Sequence, residues 1–147
     1  MNLSEIEKAY LAGIFDGEGC VGYYKRKGNR NKHSYISVVM ISQSDMRLMH
    51  WVRDTVGFGT VYGREGKKHF EYHWETNKRA HVYEFLTNIR PYLVLKAEQV
   101  DTLLALIDKE GIEPQKKGTV TIEMLVERDA VYRKLRDLKV SNLTPIH

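Results

Sequence analysis

The sequence is poor in the features that mark several protein classes. Cys20 is the only cysteine among 147 residues, so no intramolecular disulfide can form and a reducing compartment is the default. No apolar run is long enough to span a bilayer, and the N-terminus carries no signal-peptide pattern. The expectation is a soluble intracellular protein of the cytoplasm or an organelle, with no membrane partner. His33, His50, His73 and His81 lack ligand spacing, which leaves a structural zinc site unsupported. Linkers, low-complexity segments and internal repeats are also missing. What remains is ordinary: 42% hydrophobic and 29% charged residues describe a globule. The length suits one well-filled core and is short for two, so a single domain over residues 1–147 is expected. A net charge of +4 leans towards an anionic partner without demanding one.

The most informative stretch is Leu11-Ala12-Gly13-Ile14-Phe15-Asp16-Gly17-Glu18-Gly19. Ser4 with Glu7 three residues on forms a capping box, so a helix starts at Glu5. Ala9, Gly13 and Gly17 then share one face. A glycine inside a helix costs about 1 kcal/mol relative to alanine. Two on one stripe imply that another backbone approaches closely. Leu11, Ile14 and Phe15 point elsewhere and suit a core. Asp16-Gly17-Glu18-Gly19 is expected to stop the helix and to present Glu18 at an exposed point, as a metal ligand. Asp16 is expected to cap or orient rather than to ligate.

The remaining chain reads as strands and helices in turn. Cys20 to Lys27 and Tyr35 to Ser42 form a hairpin over a basic turn, Gly28 to Lys32. Ser44 is expected to cap a helix from Asp45 to Val56, with Met46, Met49 and Val52 or Val56 inward, ended by Gly57-Phe58-Gly59. Thr60 to Glu65 and His69 to Thr76 form a second hairpin around Gly66-Lys67-Lys68. Its last strand alternates cleanly, with Phe70, Tyr72 and Trp74 opposite His69, Glu71, His73 and Glu75. Asn77 is expected to cap a helix from Lys78 to Arg90, stopped by Pro91. Helices from Lys96 to Glu110 and from Thr121 to Leu138 complete the chain, with Val100, Leu103, Leu104 and Ile107 inward in the first. This order implies an α+β fold with an αββαββα-type core: a four-stranded antiparallel sheet with helices on one face.

The other sheet face is left free. Extending the alternation puts Tyr24, Arg26, Ser34, Met40, Ser42, Tyr62, Arg64, His69, Glu71, His73 and Glu75 on it. Ile36 and Val38 fall there too, which counts against this register or marks thymine-methyl contacts. Long polar side chains on a twisted sheet suit major-groove readout: arginine pairs with guanine, and glutamate accepts from cytosine N4. The basic tips, with Arg30 and Lys32 in the first turn and Lys67 and Lys68 in the second, suit phosphate contacts.

The stretch from Leu11 to Gly19 resembles the LAGLIDADG motif of the homing endonucleases. Leu-Ala-Gly, two apolar residues, Asp, a small residue, an acid and Gly all match, and the motif occurs once. The resemblance is specific at the motif, softer elsewhere, and covers nearly the whole chain. It implies a single-motif protein that works as a homodimer, because one Glu18 per chain is too few for a metal pair. The dimer interface would be Ala9, Gly13 and Gly17. It further implies that Glu18, helped by the main-chain carbonyl of Gly17, binds Mg²⁺ or another divalent cation such as Mn²⁺. Gln43, Arg47 and Lys96 match the family's water-positioning, basic and phosphate-side positions. The implied activity is site-specific, intron-encoded homing cleavage of double-stranded DNA, with no small-molecule substrate. The enzyme would cut a long pseudo-palindromic site across the minor groove, leaving short 3′ overhangs. A chain starting at Met1 without flanking splicing segments is not expected to be an intein. The runner-up is a non-enzyme: a maturase-like RNA-binding protein or a non-cleaving regulator of the same fold. A purely structural role for the glycine stripe does not explain Glu18.

Overall fold

The structure is a computed structural model and describes residues 1–28 and 33–141. Its first element, α1 (Glu5–Glu18), starts at the capping box: Ser4 Oγ accepts from Glu7 N, and Glu7 reaches back to Ser4 N. The helix runs through Asp16 and Gly17 to Glu18, so the acid–glycine stretch is its last turn and not a break before it. Gly19 follows in extended conformation, tight against the helix. A Cβ there would lie 2.6 Å from the Phe15 carbonyl oxygen and 2.3 Å from the Phe15 ring. Leu11, Ala12 and Phe15 are fully buried; Ala9, Gly13 and Gly17 are exposed, with open space over both glycines.

The strands are β1 (Gly19–Lys27), β2 (His33–Gln43), β3 (Thr60–Glu65) and β4 (Phe70–Thr76), ordered β1-β2-β4-β3 and antiparallel throughout. This is the α+β fold with an open four-stranded sheet that the sequence implies. Val21, Val39, Ile41 and Trp74 lie on the helix-covered face, and none of them is exposed. The helices are α2 (Met46–Val56), α3 (Arg79–Ile89), α4 (Ala97–Glu110) and α5 (Ile122–Ser141), with a short 3₁₀ turn over Arg90–Tyr92. Residues facing the core recur at helical spacing: Met49, Val52 and Val56 in α2, then Val100, Leu103 and Ile107 in α4.

Four local expectations need correction. Asp45, not Ser44, caps α2: its carboxylate accepts from Arg47 N at 2.9 Å, while the Ser44 hydroxyl donates to Gln43 Oε1. Met46 is exposed rather than inward, at the first position of α2, and Met49, Val52 and Val56 alone supply its buried face. Asn77 does not cap α3, whose N-cap is Lys78 without a side-chain bond. His69 precedes β4, and its carbonyl closes the turn by accepting from Gly66 N. The end of α2 is as expected, since Gly57 adopts φ 88°, a left-handed value favouring glycine.

Helix α5 runs beside the edge strand β1. Asp129 accepts from Lys25 Nζ at 2.8 Å and from the Tyr35 hydroxyl at 3.1 Å. Arg128 forms a two-pronged pair with Glu110 of α4, which ties α5 to the helical layer. Covering an edge strand in this way blocks stray pairing with another chain. Among the described residues no helix is long and apolar enough to cross a membrane.

Candidate nucleic-acid interface and active site

The register of the sheet decides which side chains share its open face. Tyr24 pairs with Ile36 and Arg26 with Ser34; Met40 pairs with Glu75 and Ser42 with His73; Tyr62 pairs with His73 and Arg64 with Glu71. Cross-strand partners project to the same side. All of these side chains therefore share one face, together with Val38. Thr60, opposite Glu75, also belongs there. The sequence reading missed it, although the alternation through Tyr62 and Arg64 already reaches it. Arg26, Ser34, Arg64, Lys67, Lys68 and His69 are exposed, and Met40, Ser42, Tyr62, Glu71 and Glu75 are half-buried. Arg30 and Lys32 lie outside the described residues.

His73 departs from the expectation of a solvent-facing side chain, being 1% exposed. The Tyr62 ring stacks on it with centroids 5.1 Å apart, and the Tyr62 hydroxyl donates to Glu75 Oε2 at 3.1 Å, closing over the imidazole. Burial and the nearby Arg64 cation push its pKa below the usual histidine value, against the pull of Glu71 and Glu75.

A second constellation sits at the C-terminal end of α1. The Asp16 carboxylate accepts three backbone N–H groups, from Val94 at 2.8 Å and from Leu95 and Lys96 at 3.0 Å. In return, Lys96 Nζ donates to the Asp16 main-chain oxygen at 2.6 Å. Asp16 thus caps and orients, and what it orients is the segment before α4. Lys96 is brought beside the last turn of the motif helix, where Glu18 and Gly17 stand exposed. Gln43 ends β2, with its Oε1 accepting from Ser44 N and from the Ser44 hydroxyl, so its amide NH₂ is the end left to donate. Arg47 is held by Asp45 through its guanidinium at 2.6 Å, and this pairing lowers the Asp45 pKa to about 2.

The donors at this end of α1 are oxygens of the type a hard divalent cation takes. The C-terminus of a helix presents carbonyls without intrahelical partners at the negative end of its dipole. The exposed Glu18 carboxylate adds an oxygen ligand of the kind that Mg²⁺ prefers. Yet no group of three or more His, Cys, Asp or Glu gathers among the described residues.

A free polar sheet face, one LAGLIDADG-like helix with an open glycine stripe, and helices stacked behind define the fold of the LAGLIDADG homing endonucleases. The structure is similar to that of homing endonuclease I-CvuI in complex with its target, with TM-score 0.75 and 22% identity over 91% of this chain and 82% of that one. The archaeal intron-encoded homing endonuclease I-Vdi141I complexed with DNA gives TM-score 0.75 and 14% identity over 91% and 84%. The I-SmaMI LAGLIDADG homing endonuclease bound to cleaved DNA gives 0.68 and 18%, over 90% of this chain but 45% of that one. No protein-family model and no curated protein matches the sequence.

Proposed function

We propose that the protein is a homing-type DNA endonuclease. It acts as a homodimer and hydrolyses both strands of a long pseudo-palindromic site with Mg²⁺ or Mn²⁺, leaving short 3′ overhangs. The observation that carries this reading is the pairing of Lys96 with the last turn of α1, which brings an amine to the helix end where the Glu18 carboxylate stands exposed. Similar structures with DNA, one in 2 mM Ca and one in 2 mM Mg, support a DNA target and a divalent cation. The open stripe over Gly13 and Gly17 supports a second copy as the neighbour that its missing side chains leave room for.

Each residue then has a chemical task. Glu18 and the Gly17 carbonyl, from both copies, hold the cation. The cation, when bound, neutralises charge at the phosphorane-like transition state and lowers the pKa of a coordinated water. Gln43 donates its free amide to orient the attacking water. Lys96 and Arg47 offset developing negative charge on the phosphate. On the sheet, Arg26 and Arg64 suit guanine, Glu71 and Glu75 suit cytosine N4, and Lys67 and Lys68 grip phosphates.

Selection of a cleavable site from a randomised DNA library, followed by single-turnover cleavage in Mg²⁺ and gel-shift binding in EDTA, tests the reading. Glu18→Gln keeps the shape and removes the charge. It is expected to abolish cleavage while binding persists or tightens, since an unshielded carboxylate 4 Å from a phosphate costs about 4 kcal/mol at an effective dielectric near 20. Lys96→Met should lose less. Cleavage by Glu18→Gln at the wild-type rate overturns the active-site assignment. A wild type that binds nucleic acid but never cuts points to the RNA-binding or regulatory alternative.

A further inference from the structure

Among the described residues, one buried side-chain polar atom lacks a hydrogen-bond partner: Nε2 of His73. It sits at the centre of the open sheet face, below the polar side chains that line it. From β2, Ser42 Oγ lies 2.6 Å from His73 Nδ1. From β3, Tyr62 covers the ring and Arg64 supplies a nearby positive charge. From β4, Glu71 Oε2 lies 3.7 Å from Nε2, and Glu75 is bonded to Tyr62. A buried imidazole with one proton has two choices. With the proton on Nδ1, it donates to Ser42 Oγ and leaves Nε2 as a lone pair facing the Glu71 carboxylate. With the proton on Nε2, the N–H has that carboxylate 3.7 Å away as a nearby charge, beyond hydrogen-bond reach, and Nδ1 accepts from the Ser42 hydroxyl. The second arrangement sets a positive hydrogen near a negative oxygen; the first sets two electron-rich atoms together.

We propose that His73 is a positioning residue that fixes the polarity of Ser42 on the reading face. Its proton resides on Nε2, its Nδ1 takes the Ser42 hydroxyl hydrogen, and Ser42 Oγ is left to present only lone pairs to a target. Ser42 then joins Glu71 and Glu75 in an acceptor-only patch. Such a patch selects bases that offer an exocyclic amine in the major groove, cytosine N4 or adenine N6, and disfavours guanine O6 and thymine O4 at the position facing Ser42. A hydroxyl free to rotate would accept or donate and would select neither. The neutral imidazole that this requires agrees with the downward push that burial and Arg64 exert on its protonation. The inference rests on the proposed DNA-binding function, but its first test does not need DNA.

That test is the long-range ¹H–¹⁵N correlation spectrum of the free protein at pH 7.5, which distinguishes the two imidazole tautomers. The Nε2–H pattern is expected for His73; an Nδ1–H pattern overturns the proposal. The second test compares base preference in a randomised-site selection for the wild type, Ser42→Ala, His73→Phe and the double variant. Phenylalanine fills the ring's place beneath Tyr62 while releasing the Ser42 hydroxyl. One base pair per half-site should lose roughly fivefold in its preference for cytosine or adenine in each single variant, the worth of one hydrogen bond. The double variant should lose no more than Ser42→Ala, because both changes remove the same acceptor. An unchanged profile in His73→Phe, or a further loss in the double variant, overturns the proposal. If His73→Phe fails to fold, the tautomer measurement on the wild type still decides. A wild type that binds no DNA in any salt overturns the proposed function, and the reading role of Ser42 falls with it.

Discussion

Replacing Asp16 by alanine tests how the motif helix commands a residue far away in sequence. The carboxylate accepts from Val94 N, Leu95 N and Lys96 N, 78 to 80 residues further on, at 2.8 to 3.0 Å. Hydrogen bonds to a charged group contribute about 1.5–3 kcal/mol each. Val94 and Leu95 are 82% and 69% exposed, so water replaces most of what their N–H groups lose. A discount to about 1 kcal/mol per bond gives a total near 3 kcal/mol. For a chain of this size each kcal/mol shifts Tm by about 2–5 °C, so Asp16→Ala should melt roughly 6–15 °C lower. Asp16→Asn keeps one acceptor oxygen and should recover part of that. Lys96, held to α1 then only by its Nζ bond to the main-chain oxygen of residue 16, should sit less firmly at the helix end. Single-turnover cleavage should then fall about as far as in Lys96→Met, while gel-shift affinity in EDTA stays near wild type. Asp16→Ala with an unchanged Tm and wild-type cleavage would refute the role assigned to this carboxylate.

Three further outcomes follow from named contacts. Gly13→Leu should leave the monomer fold intact, since open space lies over Gly13, yet sedimentation should show loss of a dimer if α1 is its seam. Arg64→Ala should relax discrimination at one base pair per half-site by about 1–3 kcal/mol, whereas Lys67→Ala should weaken all sequences alike and flatten the salt slope by about one unit. Stability should fall as pH drops below about 6.5. His73 has a lower pKa folded than unfolded, so the unfolded chain takes up a proton that the native one does not, with a limiting slope of about 1.4 kcal/mol per pH unit. Chemical denaturation at pH 7.5 and 5.5 should show the loss in the wild type and a smaller one in His73→Phe.

The cap of α1, the stop at Gly57 and the two hairpins were all legible in the sequence. So was the side of the sheet to which Tyr62, Arg64, Glu71 and Glu75 point. Each rests on chemistry within a few residues: a side chain reaching its own backbone, a left-handed turn, or an alternation of period two. Asp16 was legible as a capping or orienting group, because a short acid in the last turn of a helix has backbone donors to seek. Which donors it finds depends on how α1 and the segment before α4 pack, and no local pattern encodes that. Ser44 was the expected cap of α2, but its hydroxyl goes to the Gln43 side chain and Asp45 caps the helix. The burial of His73 is of the same kind. Alternation assigns it to the open face, but only a neighbouring strand can lay Tyr62 across it, and only the pairing with β2 can set Ser42 against its ring. Local periodicity determined the direction of each side chain, and the meeting of distant strands decided which of them water still reaches.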